Sequence, residues 1–198
     1  MAGGTSVEDT TRLRGELGRR VVHASGAVLP VAHVAGLVTW PQVTALLVAG
    51  TAVAALLEAV RLSTGLEWFV YQHLTREYEQ EIVAGYALYL GSSAAVAVAF
   101  EATIAIPAIL MLALADPLSG LASSGGLKRM KRPRALAVMF CVSAVVATPF
   151  VPPAVAVAGA TAATAADGVT LAVGSRIIDD NLTIPLTAAV TMQTGQML

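Results

Sequence analysis

Acidic residues at two points of an otherwise apolar chain are the best candidates for chemistry. Asp179, Asp180 and Asn181 stand in a row before an apolar run, and Asp116 closes an earlier apolar run. Adjacent carboxylates repel each other and resist dehydration, so they require water, a cation or a pocket rich in donors. Capping a helix takes only one such residue. The surplus carboxylates therefore favour a metal or phosphate site over a purely capping role.

Basic residues follow Asp116 closely. In the segment ADPLSGLASSGGLKRMKRPR, residues 115–134, Ser and Gly residues precede five basic residues within seven positions. Glycine-rich backbone can present N–H groups to phosphate oxygens, basic side chains can neutralise phosphate charge, and an aspartate can hold the accompanying Mg²⁺. Nucleotide chemistry needs this combination. A flexible loop that binds anionic lipid explains the same residues equally well, because the segment has no GxxxxGK[ST] motif.

A third polar group lies near the N-terminus. In RRVVHASG, residues 19–26, Arg19 and His23 are four positions apart and Gly26 follows three positions later, so on a helix they share one face. A cation, an imidazole and bare backbone on one face could hold a phosphate group. The alternative is an ordinary basic flank beside the lipid headgroups.

Composition indicates the environment of these residues. Of the 198 residues, 56% are hydrophobic and 13% are charged, and the mean hydropathy is +0.73. Soluble domains carry about a quarter charged residues. The sequence therefore predicts an all-α, polytopic integral membrane helix bundle, with a polar tail at residues 1–18 and a single transmembrane domain at residues 19–198. The lone cysteine, Cys141, excludes an intrachain disulfide.

Apolar stretches predict about seven transmembrane helices. They fall at residues 21–39, 42–60, 82–100, 103–115, 135–149, 152–166 and 182–197. With this count all twelve Lys and Arg residues lie on the side of the N-terminus, so the positive-inside rule places the N-terminus in the cytoplasm. The three polar groups share that side. We therefore expect Asp180 to lie close enough to Asp116 for one cation or phosphate group to bridge them.

Two further polar features lie at the end of the second apolar stretch and in the segment that connects it to the third. The segment LEWFVYQHLTREYEQE, residues 66–81, predicts either a helix in the membrane interface or a solvated connecting helix. Within it, Glu77 and Glu81 share a helical face. Glu58 and Arg61, three positions apart, indicate a local ion pair without a chemical role.

Four segments resemble, in order, the polyprenol kinase family, which includes dolichol kinase and phytol kinase. "RRVVHASG" is similar to the family's Arg-(Arg/Lys)-x-x-His-x-x-Gly, and "REYEQEIVAGYALYLGSS" to its Arg/Glu-rich segment before a Gly-Tyr helix. "ADPLSG" resembles its Gly-Asp-Pro-x-(Ala/Ser)-x loop, and "DDNLTIPL" its Asp-Asn-x-x-x-Pro-Leu. The chain departs from the family at Ala115, where glycine is usual, and at "RPRALAVMF", which replaces a Lys-(Ser/Thr)-x-Glu-Gly-Ser segment.

The resemblance implies a Mg²⁺-dependent kinase that transfers the terminal phosphoryl group of CTP to the hydroxyl of a polyisoprenoid, dolichol-like alcohol. It implies that the catalytic residues are Asp116, Asp180 and His23, and that the metal ligands are Asp116, Asp179 and Asp180. The residues expected to bind CTP are Asn181, Ser119, Gly120, Lys128, Arg129, Lys131, Arg132 and Arg19.

Two other functions remain open at the level of sequence. A membrane CDP-lipid cytidylyltransferase also handles CTP and a lipid with acidic residues. A non-catalytic lipid-binding or transport relative would account for the missing Glu-Gly-Ser element. In each case we expect membrane lipids, and no nucleic acid, as partners. For the kinase we expect a plasma-membrane location with the active site on the cytoplasmic face.

Overall fold

The computed structural model describes residues 20, 23–64, 82–123, 131–169, 171–173 and 176–198. The helices in these ranges are α1 (Val28–Val34), α2 (Trp40–Thr64), α3 (Gly85–Ala99), α4 (Ala102–Leu110), a π-helical turn (Met111–Ala115), α5 (Asp116–Ala122), α6 (Pro133–Ala147), α7 (Pro153–Gly168) and α8 (Asp180–Met197). Strands β1 (Leu171–Val173) and β2 (Arg176–Ile178) connect α7 to α8. The predicted helical class is confirmed. The predicted interfacial helix at residues 66–81 lies outside the described residues.

The first apolar stretch is not one continuous helix in the described residues, because residues 23–25 are helical, residues 26 and 27 form a turn, and α1 begins at Val28. α1 has seven residues and ends in a Schellman motif, in which the N–H of Gly36 donates to the carbonyl of His33 and the N–H of Leu37 to that of Ala32. Gly36 has a φ of 73°, a left-handed conformation that glycine adopts without a steric penalty. The prediction of one continuous helix over residues 21–39 is therefore wrong.

The fourth apolar stretch forms the centre of the bundle and is longer than predicted. α4, the π-helical turn and α5 join into one helix, Ala102–Ala122, most of which is buried among the other helices. The π-helical turn ends at Ala115, directly before Asp116. A π turn inserts an extra residue and so changes the direction of the side chains that follow it, and such turns are frequent at functional sites. Asp116 therefore lies inside this helix and does not end it.

The other helices surround this central helix and pack on one another. α8 packs against α7 and α3, α6 packs against α7, and α2 packs against α3. Small residues permit the close packing of α7 on α8: a Cβ atom on Gly159 would lie 2.5 Å from Cγ of Met192. Steric fit of this kind drives helix association where apolar surroundings remove the hydrophobic gain.

A buried ionic group joins α2 to the start of α3. Glu58 and Arg61 are 3% and 7% exposed, and Arg61 donates to both Glu58 carboxylate oxygens, at 2.9 and 2.7 Å. Glu58 also accepts from the backbone N–H of Ala84 at 2.9 Å and from the Tyr86 hydroxyl at 2.6 Å, and Arg61 donates to the carbonyl of Ile82 at 2.6 Å. The predicted local pair is therefore the centre of a tertiary connection, which we call the Glu58 network.

A short β-ribbon leads the chain from α7 into α8. β1 and β2 are antiparallel, with Leu171 opposite Ile178 and Val173 opposite Arg176. Two antiparallel strands reverse the chain within a few residues. The end of α7 and the start of α8 are therefore neighbours, although the sequence offered no signal for strands here.

Two of the described helices are long and apolar enough to cross a membrane. They are Trp40–Thr64 and Ala102–Ala122. In the most apolar 18-residue window of each helix, 22% of Trp40–Thr64 and 72% of Ala102–Ala122 is buried within the protein. α3 and α6 are apolar but have only 15 residues each, fewer than the roughly 20 that a straight span requires. Membrane association is supported to this extent, and the predicted number of seven spans stays a prediction.

Candidate functional site

Three carboxylates from three helices converge at one point of the bundle. Asp116 begins α5, Asp167 lies in the last turn of α7, and Asp180 begins α8. One carboxylate oxygen of each lies within 4.8 Å of those of the other two. The predicted proximity of Asp116 and Asp180 is therefore confirmed, and Asp167 joins them as a third member. We call these residues the carboxylate cluster.

The side chain of Lys131 lies among the three carboxylates. Its ammonium group donates to Oδ1 of Asp167 and lies 3.5 Å from Oδ1 of Asp116 and 4.0 Å from Oδ2 of Asp180. The backbone places it there, because the N–H of Lys131 donates to the carbonyl of Gly168 at the end of α7. Of the basic residues predicted after Asp116, Lys131 is thus the one that the structure brings into the cluster within the described residues.

The neighbouring carboxylates keep Lys131 positively charged. Burial acts to lower the pKa of Lys131, but the negative charges of Asp116, Asp167 and Asp180 outweigh it, so the pKa lies above its usual value. Lys131 is therefore a cation throughout the physiological pH range. Among the described residues one ammonium group faces three acidic side chains, and this excess of acidic groups could accept a further cation.

Asp167 is held by hydrogen bonds on both of its oxygens. Its side chain is fully buried, Oδ1 accepts from Lys131, and Oδ2 accepts from the Ser119 hydroxyl at 2.8 Å. Ser119 lies one turn after Asp116 on the same helix and is itself fully buried. The hydroxyl predicted to contact the nucleotide therefore orients a carboxylate.

Asp179 caps α8 and is not a member of the carboxylate cluster. Its Oδ1 accepts from the backbone N–H of Asn181 at 2.9 Å and from Nδ2 of the same residue at 2.6 Å. An aspartate in this position satisfies the free N–H groups of the first turn. Among the described residues the structure groups Asp167, and not Asp179, with Asp116 and Asp180, and a metal-binding role for Asp179 stays a prediction.

Asn181 presents an unsatisfied oxygen near the start of α8. The residue is 6% exposed, and its Oδ1 has no hydrogen-bond partner in the part of the chain that the structure describes. Its backbone carbonyl accepts from the Ser92 hydroxyl of α3 at 2.7 Å. A buried polar atom without a partner calls for an explanation, and a bound ion or ligand provides one.

The N-terminal polar segment lies against the segment around Asp116. Nε2 of His23 is 3.9 Å from Oδ2 of Asp116, and both side chains are 18% exposed. The Arg20 guanidinium covers Gly120, where an added Cβ atom would lie 3.4 Å from the guanidinium carbon. The structure therefore unites His23 and Gly120 with the cluster, and it adds Arg20, which the sequence did not assign a role.

The remaining predicted site residues are less informative. Arg132 is exposed and precedes the first turn of α6. Arg19, Lys128 and Arg129 lie outside the described residues. On the sequence Asp167 belongs with the polar residues on the side of the N-terminus, but it was not assigned as a ligand, because a single aspartate at the end of an Ala-rich helix resembles a boundary residue. Its isolation in a long apolar run was the available signal.

The donor set suits a small, hard divalent cation such as Mg²⁺. Carboxylate and amide oxygens are its usual protein ligands, and the cluster offers three carboxylates with the unpaired Oδ1 of Asn181 close to Asp180 along the chain. Asp116, Asp167 and Asp180 would hold such an ion, which would supply positive charge to a bound phosphate group.

Comparison with known proteins gives no relative from which a function could be transferred. No family model, no curated protein and no solved structure matches the chain. The functional argument therefore rests on the geometry of the cluster and on the motifs of the sequence.

Proposed function

We propose that this chain is a membrane kinase that transfers the terminal phosphoryl group of CTP to the hydroxyl of a polyisoprenoid, dolichol-like alcohol. The observation that carries the proposal is the convergence of Asp116, Asp167 and Asp180 around Lys131, with an excess of carboxylates. Phosphoryl transfer depends mainly on positioning and on neutralisation of phosphate charge, which acidic ligands for a metal and basic side chains together provide.

The residues divide into two chemical roles. The carboxylate cluster and Oδ1 of Asn181 would hold Mg²⁺, which when bound supplies positive charge to the triphosphate. Lys131, among the carboxylates, and Arg20, over Gly120 one turn after Asp116, would supply positive charge to phosphate oxygens. His23, at 3.9 Å from Asp116, is placed to orient the acceptor hydroxyl.

The proposed transfer is balanced without a further reactant. The oxygen of the alcohol forms a bond to the terminal phosphorus of CTP, and the bond between that phosphorus and the bridging oxygen breaks. CDP leaves with the electron pair of the broken bond. The proton of the alcohol passes to a carboxylate of the cluster or to His23, and from there to solvent.

A membrane setting agrees with the placement of the charged groups. Asp167 lies in the last turn of α7, Asp180 begins α8, and Lys131 precedes α6, so three of the four charged groups lie near helix ends, whereas Asp116 directly follows the π turn. The proposal includes seven spans, a cytoplasmic N-terminus and a plasma-membrane location, with the site at the cytoplasmic face. The alternation of basic residues along the chain supports this orientation. An isoprenoid tail would then lie among the helices, with its hydroxyl at the interface.

Transfer of label from γ-labelled CTP to a polyprenol by the purified protein tests the proposal. We expect transfer by the wild type and a loss of about 1,000-fold in Asp180→Asn, because one oxygen ligand loses its charge while the side chain keeps its shape. Glu101→Gln is the matched control, since Glu101 is an exposed carboxylate that precedes α4. It should retain full activity.

Failure of the wild type to transfer label from CTP or ATP to several polyprenols would reject the kinase. Release of pyrophosphate from CTP in the presence of phosphatidic acid would identify a cytidylyltransferase in its place. Binding of CTP without turnover of any substrate would identify a non-catalytic relative, in agreement with the replaced Glu-Gly-Ser segment.

A further inference from the structure

We propose that Tyr89 binds the hydroxyl of the alcohol substrate, in a subsite that it forms with His23 over Gly26. This inference deepens the proposed function and rests on it for the identity of the substrate class. The ligand it assigns to the subsite is a neutral hydroxyl at the end of an apolar chain. No role for Tyr89 follows from the sequence analysis.

The Tyr89 hydroxyl is buried and unsatisfied. Tyr89 lies in α3 and is 9% exposed, and its Oη has no hydrogen-bond partner within the described ranges of the chain. A buried phenol normally finds a partner, because its hydroxyl loses the hydrogen bonds that water gave it. A substrate hydroxyl would supply the missing partner.

Gly26 provides the space that this hydroxyl occupies. A Cβ atom at Gly26 would lie 1.8 Å from Oη and 2.6 Å from Cζ of Tyr89. No other residue type could stand at position 26 without displacing the ring. The glycine of the RRVVHASG segment thus has a definite structural purpose, which is to admit the Tyr89 hydroxyl beside the backbone.

His23 connects the tyrosine with the carboxylate cluster. The rings of His23 and Tyr89 meet edge to face, with centroids 4.5 Å apart and an angle of 80° between their planes. The same imidazole has its Nε2 atom 3.9 Å from Oδ2 of Asp116. A hydroxyl bound by Tyr89 would therefore lie close to the group that receives its proton.

α3 is fixed to α8 one turn beyond Tyr89. The Ser92 hydroxyl donates to the carbonyl of Asn181 at 2.7 Å and lies 3.1 Å from the carbonyl of Tyr89. Because residues three apart share a helix face, Tyr89 faces the same side as Ser92. This contact keeps the tyrosine directed toward the start of α8, where Asp180 lies.

The chemistry of the subsite favours an alcohol over a phosphate. Lys131 and Arg20 are the cations that suit phosphate oxygens, and they contact Asp116 or Gly120. Tyr89 is neutral and is enclosed by His23 and the backbone of Gly26, which suits a neutral hydroxyl. The phenol can donate to the alcohol oxygen, and the proton of the alcohol then remains free to point toward Asp116.

Binding of geranylgeraniol and of the matching hydrocarbon without the hydroxyl tests the subsite. We expect the wild type to bind the alcohol about tenfold more tightly than the hydrocarbon, the value of one good hydrogen bond, and Tyr89→Phe to bind both alike. The melting temperature of ligand-free Tyr89→Phe should equal that of the wild type, because the Tyr89 hydroxyl has no hydrogen-bond partner among the described residues. The KM for the alcohol should rise about tenfold at an unchanged KM for CTP.

Tyr86→Phe is the matched control. Its hydroxyl donates to Glu58 at 2.6 Å, so this variant should have a lower melting temperature and unchanged discrimination between the two ligands. Equal discrimination by Tyr89→Phe and the wild type would overturn the inference, as would a wild type that binds both ligands alike. A wild type that prefers the alcohol through Tyr89 but transfers no phosphate would retain the subsite and reject the kinase.

Discussion

Two groups of buried or half-buried charges in this bundle differ in how completely they are satisfied. In the Glu58 network one carboxylate faces one guanidinium, and the carboxylate accepts four hydrogen bonds from Arg61, Ala84 and Tyr86. In the carboxylate cluster three acidic groups face one ammonium from the part of the chain that the structure describes, that of Lys131. Beside the cluster, buried oxygens of Asn181 and Tyr89 have no partner among the described residues.

The difference indicates which group serves the stability of the fold and which group could bind a ligand. A group whose charges and hydrogen bonds are complete has no capacity left for a ligand, so the Glu58 network serves to join α2 to α3. A group with surplus negative charge and unpaired polar atoms is complete only when something binds to it. This contrast, and not the mere presence of buried charge, makes the carboxylate cluster the candidate site.

Arg61→Met would break the complete group and should have the largest effect on stability. The substitution leaves the Glu58 carboxylate buried without its cation, which costs about 3 kcal/mol. We expect a markedly lower melting temperature in detergent. Binding of Mn²⁺, measured by calorimetry, should be unchanged in the fraction that remains folded.

Arg134→Met is the control for that variant, since Arg134 is an exposed arginine at the start of α6. It should melt as the wild type does. Equal melting temperatures for Arg61→Met and Arg134→Met would contradict the assignment of the Glu58 network as a stabilising connection.

Lys131→Met would sharpen the contrast by removing the only described cation within the cluster. The three carboxylates then lack compensation, so the ligand-free protein should be less stable, and its affinity for Mn²⁺ or Mg²⁺ should rise about tenfold through lost competition with the ammonium. Calorimetric titration without nucleotide measures the affinity.

Lys131→Arg, which keeps the positive charge, is the matched control and should bind the metal about as weakly as the wild type. If Lys131→Met binds metal no more tightly than the wild type, the cluster does not hold the ion in the place of the ammonium.

Ser119→Ala should have the smallest of these effects. It removes the hydrogen bond to Oδ2 of Asp167 and leaves a fully buried carboxylate oxygen without a donor, at a cost of about 1.5 kcal/mol. The melting temperature in detergent measures this loss. Ser143→Ala is the comparison, because the Ser143 hydroxyl is buried and has no hydrogen-bond partner in the described part of the chain. It should be neutral or slightly stabilising, and a loss equal to that of Ser119→Ala would contradict the role of the Asp167 bond.

Composition and the order of residues by themselves determined the helical class and the proximity of two carboxylates. Both follow from local properties: apolar runs form helices, and the placement of basic residues between those runs indicates which loops share a side. Asp116 and Asp180 could be paired in this way because each stands at an end of an apolar run.

Tertiary structure alone decided which neighbouring side chains enter the site. Asp179 and Asp180 are adjacent and chemically alike, yet one caps α8 and the other joins the cluster. Asp179 is the N-cap, with an extended backbone, and Asp180 is the first helical residue, so that choice depends on where the helix begins and on how it is rotated against its neighbours. In the same way, the packing of helices that lie far apart in the chain brings Lys131, Asp167 and Tyr89 to the site.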